Sequence, residues 1–298
     1  MIITRLQGGL GNQMFQYAAG RAISAKHHQE LKLDISGYGQ VVYNIKGHQD
    51  APRSYRLRFF QIQAGVATPE EIASAKYRFG PLSKGWRLFR HKVLRKFYVD
   101  YHPDVIEKGY VDAFHPSYVE GFFQSEKNFS DISSQIRNEL SLKPEHVSPA
   151  MATTIQEMRF ARNAVSLHVR RGDYVTNASV NSAHGTCSPE YYAEAIAYIK
   201  NHAADPHFFV FSDDIKWVKQ NLPIEGGVTY VSNPDLQDYE EISLMSHCKH
   251  NIVANSSFSW WGAWLNPDLG DKIVIAPKRW MANDDSHPNI IPDGWVRL

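Results

Sequence analysis

Between residues 164 and 276, short apolar runs alternate regularly with stretches of helical period. The strand-like runs are Ala164–Val169, Phe208–Ser212, Val228–Val231, Asn251–Ala254 and Ile273–Ala276. Between them lie a helix opened by Ser188-Pro189 and running to about His202, then Ile215–Asn221, Asp238–His247 and Ser259–Leu265. A helix over about Ser148–Arg162 leads into the series. Strands separated by helices cannot be joined as hairpins, so the pattern predicts an α/β protein with a parallel, doubly wound sheet. In open sheets of this kind ligands bind beyond the carboxyl ends of the strands. The polar clusters of this sequence fall at those ends.

The N-terminal part begins in the same way. Met1–Gln7 reads as a buried strand, Gly8-Gly9-Leu10-Gly11 as a turn, about Asn12–His28 as a helix and Glu30–Asp34 as the next strand. From Tyr38 to Tyr118 the pattern gives way to mixed loops and short helices. A chain of 298 residues, 43% hydrophobic, has enough apolar material for two cores. The expected division is residues 1–146 and 147–298.

Charge and targeting signals exclude several classes. Lys plus Arg number 32 and Asp plus Glu 31, so no global field attracts nucleic acid. No apolar run reaches the roughly 18 residues of a membrane span, and Met1-Ile2-Ile3-Thr4-Arg5 lacks the pattern of a secretory signal. The expectation is a soluble, unsecreted, cytoplasmic chain. Cys187 and Cys248 are the only cysteines and neither lies in a CxxC pair, which argues against a disulfide framework or a cysteine zinc site.

Four clusters could carry chemistry. Gly8 to Gly11 follows a strand and opens a helix, where N–H groups approach polar or anionic ligands. Gly9 and Gly11 match two glycines of a dinucleotide fingerprint, Met14 stands where the third is expected, and Asp34 could serve as the ribose-binding acid. A tight turn needing positive φ explains the same glycines. His168-Val169-Arg170-Arg171-Gly172-Asp173-Tyr174 ends a strand. Alternation puts His168 and Arg170 on one face and Arg171 on the other, so an imidazole and a phosphate-clamping guanidinium face a ligand together. The competing reading is an Arg–Asp pair at the surface. Ser212-Asp213-Asp214 ends the next strand; the separated Asp-x-Asp of a metal site is missing, one Asp suits a helix cap, and the other could accept from a base edge or hydroxyl. Finally, Asn255-Ser256-Ser257-Phe258 opens a helix as an anion site would, while Trp260, Trp261 and Trp264 suit packing.

Residues 76–96 hold eight Lys or Arg and no acid, interleaved with Tyr77, Phe79, Trp86 and Phe89. Such a stretch suits peripheral contact with an anionic membrane face or a lipid-linked partner, or equally a solvated helical face.

Gly8 to Ala18, Glu120-Gly121-Phe122-Phe123-Gln124-Ser125-Glu126, the 168–174 heptad, Phe211 to Asp214 and Asn255 to Leu265 together resemble, in order, the motifs of the α-1,2-fucosyltransferases of glycosyltransferase family eleven. The resemblance spans nearly the whole chain. It implies a GT-B-like fold of two Rossmann-like domains, 1–146 on the acceptor side and 147–298 holding the nucleotide-sugar site at its strand C-termini, and an inverting transfer of fucose from GDP-β-L-fucose to the 2-hydroxyl of a terminal β-galactoside; with the separated Asp-x-Asp missing, the transfer is expected to be metal-independent, with GDP-fucose as substrate and no cofactor. The acceptor would be a galactose-terminated oligosaccharide or a lipid-linked glycan. By position, Arg170 resembles the arginine on the donor β-phosphate, His168 and one of Asp213 or Asp214 resemble guanosine contacts, and Asn12 resembles a residue facing the sugar–phosphate bond. The backbone around Ser256 to Phe258 would share the diphosphate charge. For the general base the candidates are His184 and Asp173, followed by Glu120. Two other classes compete: a nicotinamide-dependent oxidoreductase using the first glycine turn with Asp34, and a noncatalytic glycan-binding module using the aromatics.

Overall fold

A computed structural model describes residues 1–38, 53–76, 117–172, 175, 185–267, 270–281 and 289–298. They form two compact units, Met1–Leu140 and Ser141–Leu298.

In the first unit, β1 (Ile2–Arg5) leads through the glycine turn into α1 (Leu10–Lys26) and on to β2 (Leu31–Asp34). Two short strands, β3 (Gly65–Val66) and β4 (Ser117–Val119), lie where no strand is expected, because two or three residues are too few to set up an alternation. Between them runs α2 (Pro69–Lys76), and α3 (Ser133–Glu139) follows later. The sheet order is β3-β2-β1-β4 with every pairing parallel. Helix α1 comes very close to β1: a Cβ on Gly20 would lie 2.1 Å from Thr4 Oγ1. A glycine there lets the two elements touch.

The second unit starts with α4 (Pro149–Phe160), whose cap Ser148 accepts from the Met151 N–H at 3.1 Å. It continues with β5 (Asn163–Val169), α5 (Pro189–His202), β6 (Pro206–Ser212), α6 (Ile215–Asn221), β7 (Gly227–Tyr230), α7 (Asp238–His247), β8 (His250–Ile252), α8 (Ser257–Leu265), β9 (Val274–Ala276) and β10 (Val296–Arg297). The expected alternation is present, and α5 is capped by Ser188 with Pro189 at its first position. Strand β8 stops at Ile252, earlier than its apolar run suggests, and α8 begins at Ser257. Two-residue β10 had no signal in the sequence.

The strands of this sheet are ordered β10-β9-β8-β5-β6-β7, again all parallel. From β5 the chain winds outward through β6 and β7, then returns to the other side of β5 to place β8. The reversal opens a crevice beyond the carboxyl ends of β5 and β8. Val165, Leu167, Val169, Phe208, Val210 and Ile252 form a buried core with Ile199 and Tyr192 of α5.

Trp260 and Trp261 are fully buried, and Trp260 Nε1 donates to the Ile290 carbonyl at 2.7 Å, so both belong to packing. Cys187 and Cys248 are free thiols. Among the described residues, no helix is long and apolar enough to cross a membrane.

Candidate active site

Three strand ends converge at the reversal of the second sheet. His168 is the penultimate residue of β5 and is 3% exposed. Its ring lies 5.6 Å from that of Phe258, in the first turn of α8, so one contact bridges the crevice from β5 to the helix after β8. Burial, with the neighbouring Arg170 charge adding to it, pushes the His168 pKa down to about 3. The imidazole is therefore neutral at physiological pH, and its buried Nδ1 has no hydrogen-bond partner among the described residues.

Pairing of β5 with β6 ends at Val169 opposite Ser212, so the alternation that would separate Arg170 from Arg171 stops there. Both arginines turn toward the end of β6. Arg170 Nη1 lies 3.0 Å from Asp213 Oδ2, and the Arg171 N–H donates to Asp213 Oδ1 at 2.9 Å. The Arg171 guanidinium stacks 3.8 Å over Trp217 and its Nε is 3.4 Å from Asp214. Asp214 also caps α6, accepting from the Trp217 N–H at 3.1 Å. The adjacent carboxylates thus divide their work: Asp214 caps a helix and holds Arg171, while Asp213 orients Arg170. A Cβ on Gly172 would come within 2.5 Å of Asp213 Oδ2, so any larger residue there would require the carboxylate to move.

Ser256 is the N-cap of α8 and accepts from the Phe258 N–H at 3.3 Å. The remaining N–H groups of that first turn have no carbonyl one turn back within the helix, so the helix start is a site for negative charge. Ser257 is its first residue. Asn255 beside it has a different job: its Nδ2 donates to the Gly185 and Trp280 carbonyls at 3.2 and 3.3 Å and its Oδ1 receives the Cys187 thiol at 3.5 Å. That side chain ties loops together under the site. Burial raises the Cys187 thiol to about 11, which leaves it protonated and unreactive.

One group escaped the sequence reading. Glu241, in the first turn of α7, has its carboxyl pushed up to about 7 by burial, against a hydrogen bond with Ser232 and with the charges of Asp238 and Asp213 adding to the rise. Ser232 Oγ accepts from the Ser212 N–H at 3.0 Å, linking Glu241 to the end of β6. A Glu after Asp238 and Glu240 looks like an ordinary acidic first turn, and nothing in the sequence signals its burial.

The glycine turn of the first unit differs from the fingerprint reading. Gly8, not Gly9 or Gly11, takes positive φ, at 79°, while Gly9 is extended and caps α1. Asp34 is 1% exposed, and its two oxygens accept from Tyr118 Oη at 2.5 Å and the Ser36 N–H at 2.9 Å, so its carboxylate is used inside the unit. Met14 is fully buried. Asn12 stands in the first turn of α1, with its Oδ1 accepting from Gln124 Nε2 at 2.8 Å. Glu120 is ion-paired with Arg5. Asp173 and His184, and the basic stretch beyond Lys76, lie outside the described residues. Among the described residues no group of three or more His, Cys, Asp or Glu is placed to hold a metal ion.

The arrangement is suited to an anion with an uncharged polar part beside it. An oriented guanidinium and a helix N-terminus meet the charge, and a neutral imidazole and Asp213 offer directional hydrogen bonds. Comparison with known proteins identifies the family. The model of the family described as "Glycosyl transferase family 11" matches residues 82–298. The chain is 34% identical to an alpha-1,2-colitosyltransferase of Escherichia coli over 100% of this chain and 99% of that protein. It is 32% identical to the O-antigen biosynthesis glycosyltransferase WbnK of Escherichia coli, covering 98% and 99% of the two chains. With the human galactoside alpha-(1,2)-fucosyltransferase 1 the identity is 26%, over 90% of this chain and 66% of that protein. In fold it is similar to the alpha-1,6-fucosyltransferase NodZ in a crystal soaked with GDP-fucose, with a TM-score of 0.51, 15% identity and coverage of 91% and 95%. The fold is therefore α/β and GT-B-like.

Proposed function

The chain belongs to glycosyl transferase family 11, and from that premise we propose that it moves L-fucose from GDP-β-L-fucose to the 2-hydroxyl of a terminal β-galactoside, with inversion and without a metal ion. The coarser statement, a fucosyltransferase-type glycosyl transfer, follows from the family and its α-1,2-transferring relatives. The observation that carries the finer one is the convergence of Arg170, held by Asp213, with His168 and the start of α8 at the sheet reversal.

In a single displacement the sugar becomes oxocarbenium-like while negative charge grows on the departing GDP. Fixed donors aimed at that charge lower the barrier most. Arg170 and the first turn of α8 are assigned that role. The neutral His168 and Asp213 are assigned to the guanosine part, and Asn12 to the sugar–phosphate bond. The proton of the acceptor hydroxyl goes to His184 or Asp173. A His base would give turnover an acid limb near pH 6 to 7, about its reference pKa, and an Asp base a lower one. The acceptor is a galactose-terminated oligosaccharide or lipid-linked glycan. Residues 76–96 are assigned to an anionic membrane face, tested by salt-sensitive sedimentation with anionic liposomes.

A second reading, transfer of colitose, is favoured by one observation, the 34% identity over the whole chain to the colitosyltransferase. Incubation with GDP-fucose or the corresponding colitose donor and a panel of galactoside-ended oligosaccharides decides between them. Products are weighed by mass spectrometry and linkages assigned by NMR. Saturable GDP binding without any transfer, to any member of the panel, would leave only a binding function.

A further inference from the structure

The segment Glu120 to Glu126 follows β4 and makes an unusual turn. Phe123 has φ of 51°, a left-handed conformation that a bulky side chain rarely takes. It is held there from several sides. The residue is 9% exposed, and its carbonyl accepts from the Ser125 N–H at 2.7 Å and from Asn128 Nδ2 at 3.1 Å. The consequence of the turn is the position of the next side chain: Gln124 Nε2 donates to Asn12 Oδ1 at 2.8 Å.

A primary amide has an accepting end and a donating end. With its oxygen taken by Gln124, the Asn12 side chain has a set orientation. Its Nδ2 lies over the bare Cα of Gly8, 2.8 Å from where a Cβ would stand. The positive φ of Gly8 and the absence of its side chain leave room for that nitrogen.

We propose that Gln124 is a positioning residue for the transfer, fixing the Asn12 amide so that Asn12 offers an N–H, and not a carbonyl oxygen, to an oxygen of the substrate. The proposal rests on the glycosyl-transfer reading above. It assigns the strained Phe123 turn a purpose, that of delivering a hydrogen-bond donor to the oxygen of Asn12.

The test uses the whole protein, with GDP release from GDP-fucose in the presence of the acceptor panel as its readout. Gln124→Glu keeps the size but at pH 8 can only accept, so the Asn12 amide turns over to donate to it. Turnover should fall by about tenfold or more with little change in donor KM. As the pH drops toward 5 and below, the carboxyl gains a proton and can donate again, so the ratio of variant to wild-type turnover should rise. Gln124→Met, which neither donates nor accepts, should lose less and keep the wild-type pH profile. Asn12→Asp keeps the acceptor for Gln124 but has no N–H, and should lose turnover as the Glu variant does; it also decides the matter if Gln124→Glu does not fold. Wild-type turnover and pH profile in folded Gln124→Glu, or wild-type turnover in Asn12→Asp, overturns the proposal. Absence of GDP release from the wild-type protein with GDP-fucose and with the corresponding colitose donor alike instead removes the transfer reading, and the proposal with it.

Discussion

The carboxylate of Asp213 occupies the space in which any residue but glycine at position 172 would carry its Cβ: that atom would sit 2.5 Å from Oδ2 and 3.1 Å from Cγ. The same carboxylate orients Arg170 at 3.0 Å and receives the Arg171 N–H at 2.9 Å. A missing side chain in the turn after β5 thus makes room for the carboxylate that orients an arginine two residues earlier.

Gly172→Ala should therefore act on the site more than on the fold. Asp213 must move and Arg170 loses its partner, so donor KM should rise and turnover fall, by about tenfold in kcat/KM, with a melting temperature close to wild type. An unchanged kcat/KM would show that Asp213 accommodates the methyl group without moving Arg170.

Arg170 itself should matter most. Its replacement by Ala removes a charge-assisted donor from the departing diphosphate and should lower turnover by about two to three orders of magnitude. Lys should rescue little, because it lacks the planar fork that bonds phosphate at two points. Steady-state kinetics on the folded variants checks both.

Two buried groups give stability opposite pH dependences. His168 titrates at about 3 in the folded protein, below its unfolded value, so its contribution is present above about pH 6.5 and is lost as pH falls toward 3. Glu241 titrates at about 7, above its unfolded value, so its contribution is present below about pH 4.5 and is lost as pH rises through 7. That second loss is at most about 3.5 kcal/mol. Urea midpoints across pH 5 to 9 should fall at the alkaline end for the wild type and flatten in Glu241→Gln. A slope that persists in this variant would assign the alkaline loss to another group.

Activity should survive exhaustive treatment with EDTA. Asp214 is occupied as a helix cap and Asp213 as the partner of Arg170, which leaves neither carboxylate disposed toward a cation. Loss of activity restored by Mg²⁺ or Mn²⁺ would return the two to consideration as ligands.

The close approach of α1 to β1 makes a stability prediction. Gly20→Ala improves helix propensity by about 1 kcal/mol but forces a methyl group against Thr4 Oγ1, an overpacking that costs about 1 to 3 kcal/mol. Net destabilisation is expected. Thr4→Ala, which removes the obstructing hydroxyl, should relieve much of it in the double variant, and the thermodynamic cycle measured by urea unfolding checks the coupling.

How much of this the sequence discloses varies with the physics behind each feature. The second unit is legible because its central strands β5, β8 and β9 are buried on both faces and its helices are separated by turn residues such as Ser188-Pro189, which cap where expected. The cap function of Asp214 follows from its place before Ile215 in the same way. Local patterns do not show which distant groups share a side chain's surroundings. That is why Asn255, apparently poised at a helix start, turns out to tie Gly185 to Trp280, and why Asp34 is taken by Tyr118. The burial of Glu241 and the pairing of Gln124 with Asn12 depend on tertiary placement alone, across 112 residues in the second case. Strands of two or three residues, like β3, β4 and β10, are called into being by a neighbour's free edge and leave no period to read.

The reversed strand order has a consequence for how the protein is made. Strand β5 can pair with β6 soon after both leave the ribosome, but its other neighbour comes 85 residues after it, as the bond from Asn251 to Ser166 shows. At about 5 to 20 residues synthesised per second, that edge stays open for roughly 4 to 17 s. During that interval the buried faces of Leu167 and His168 have no β8 beside them and no Phe258 above them. The strand that carries His168 and leads into Arg170 thus waits with one edge open to pairing with another nascent chain, until β8 closes it.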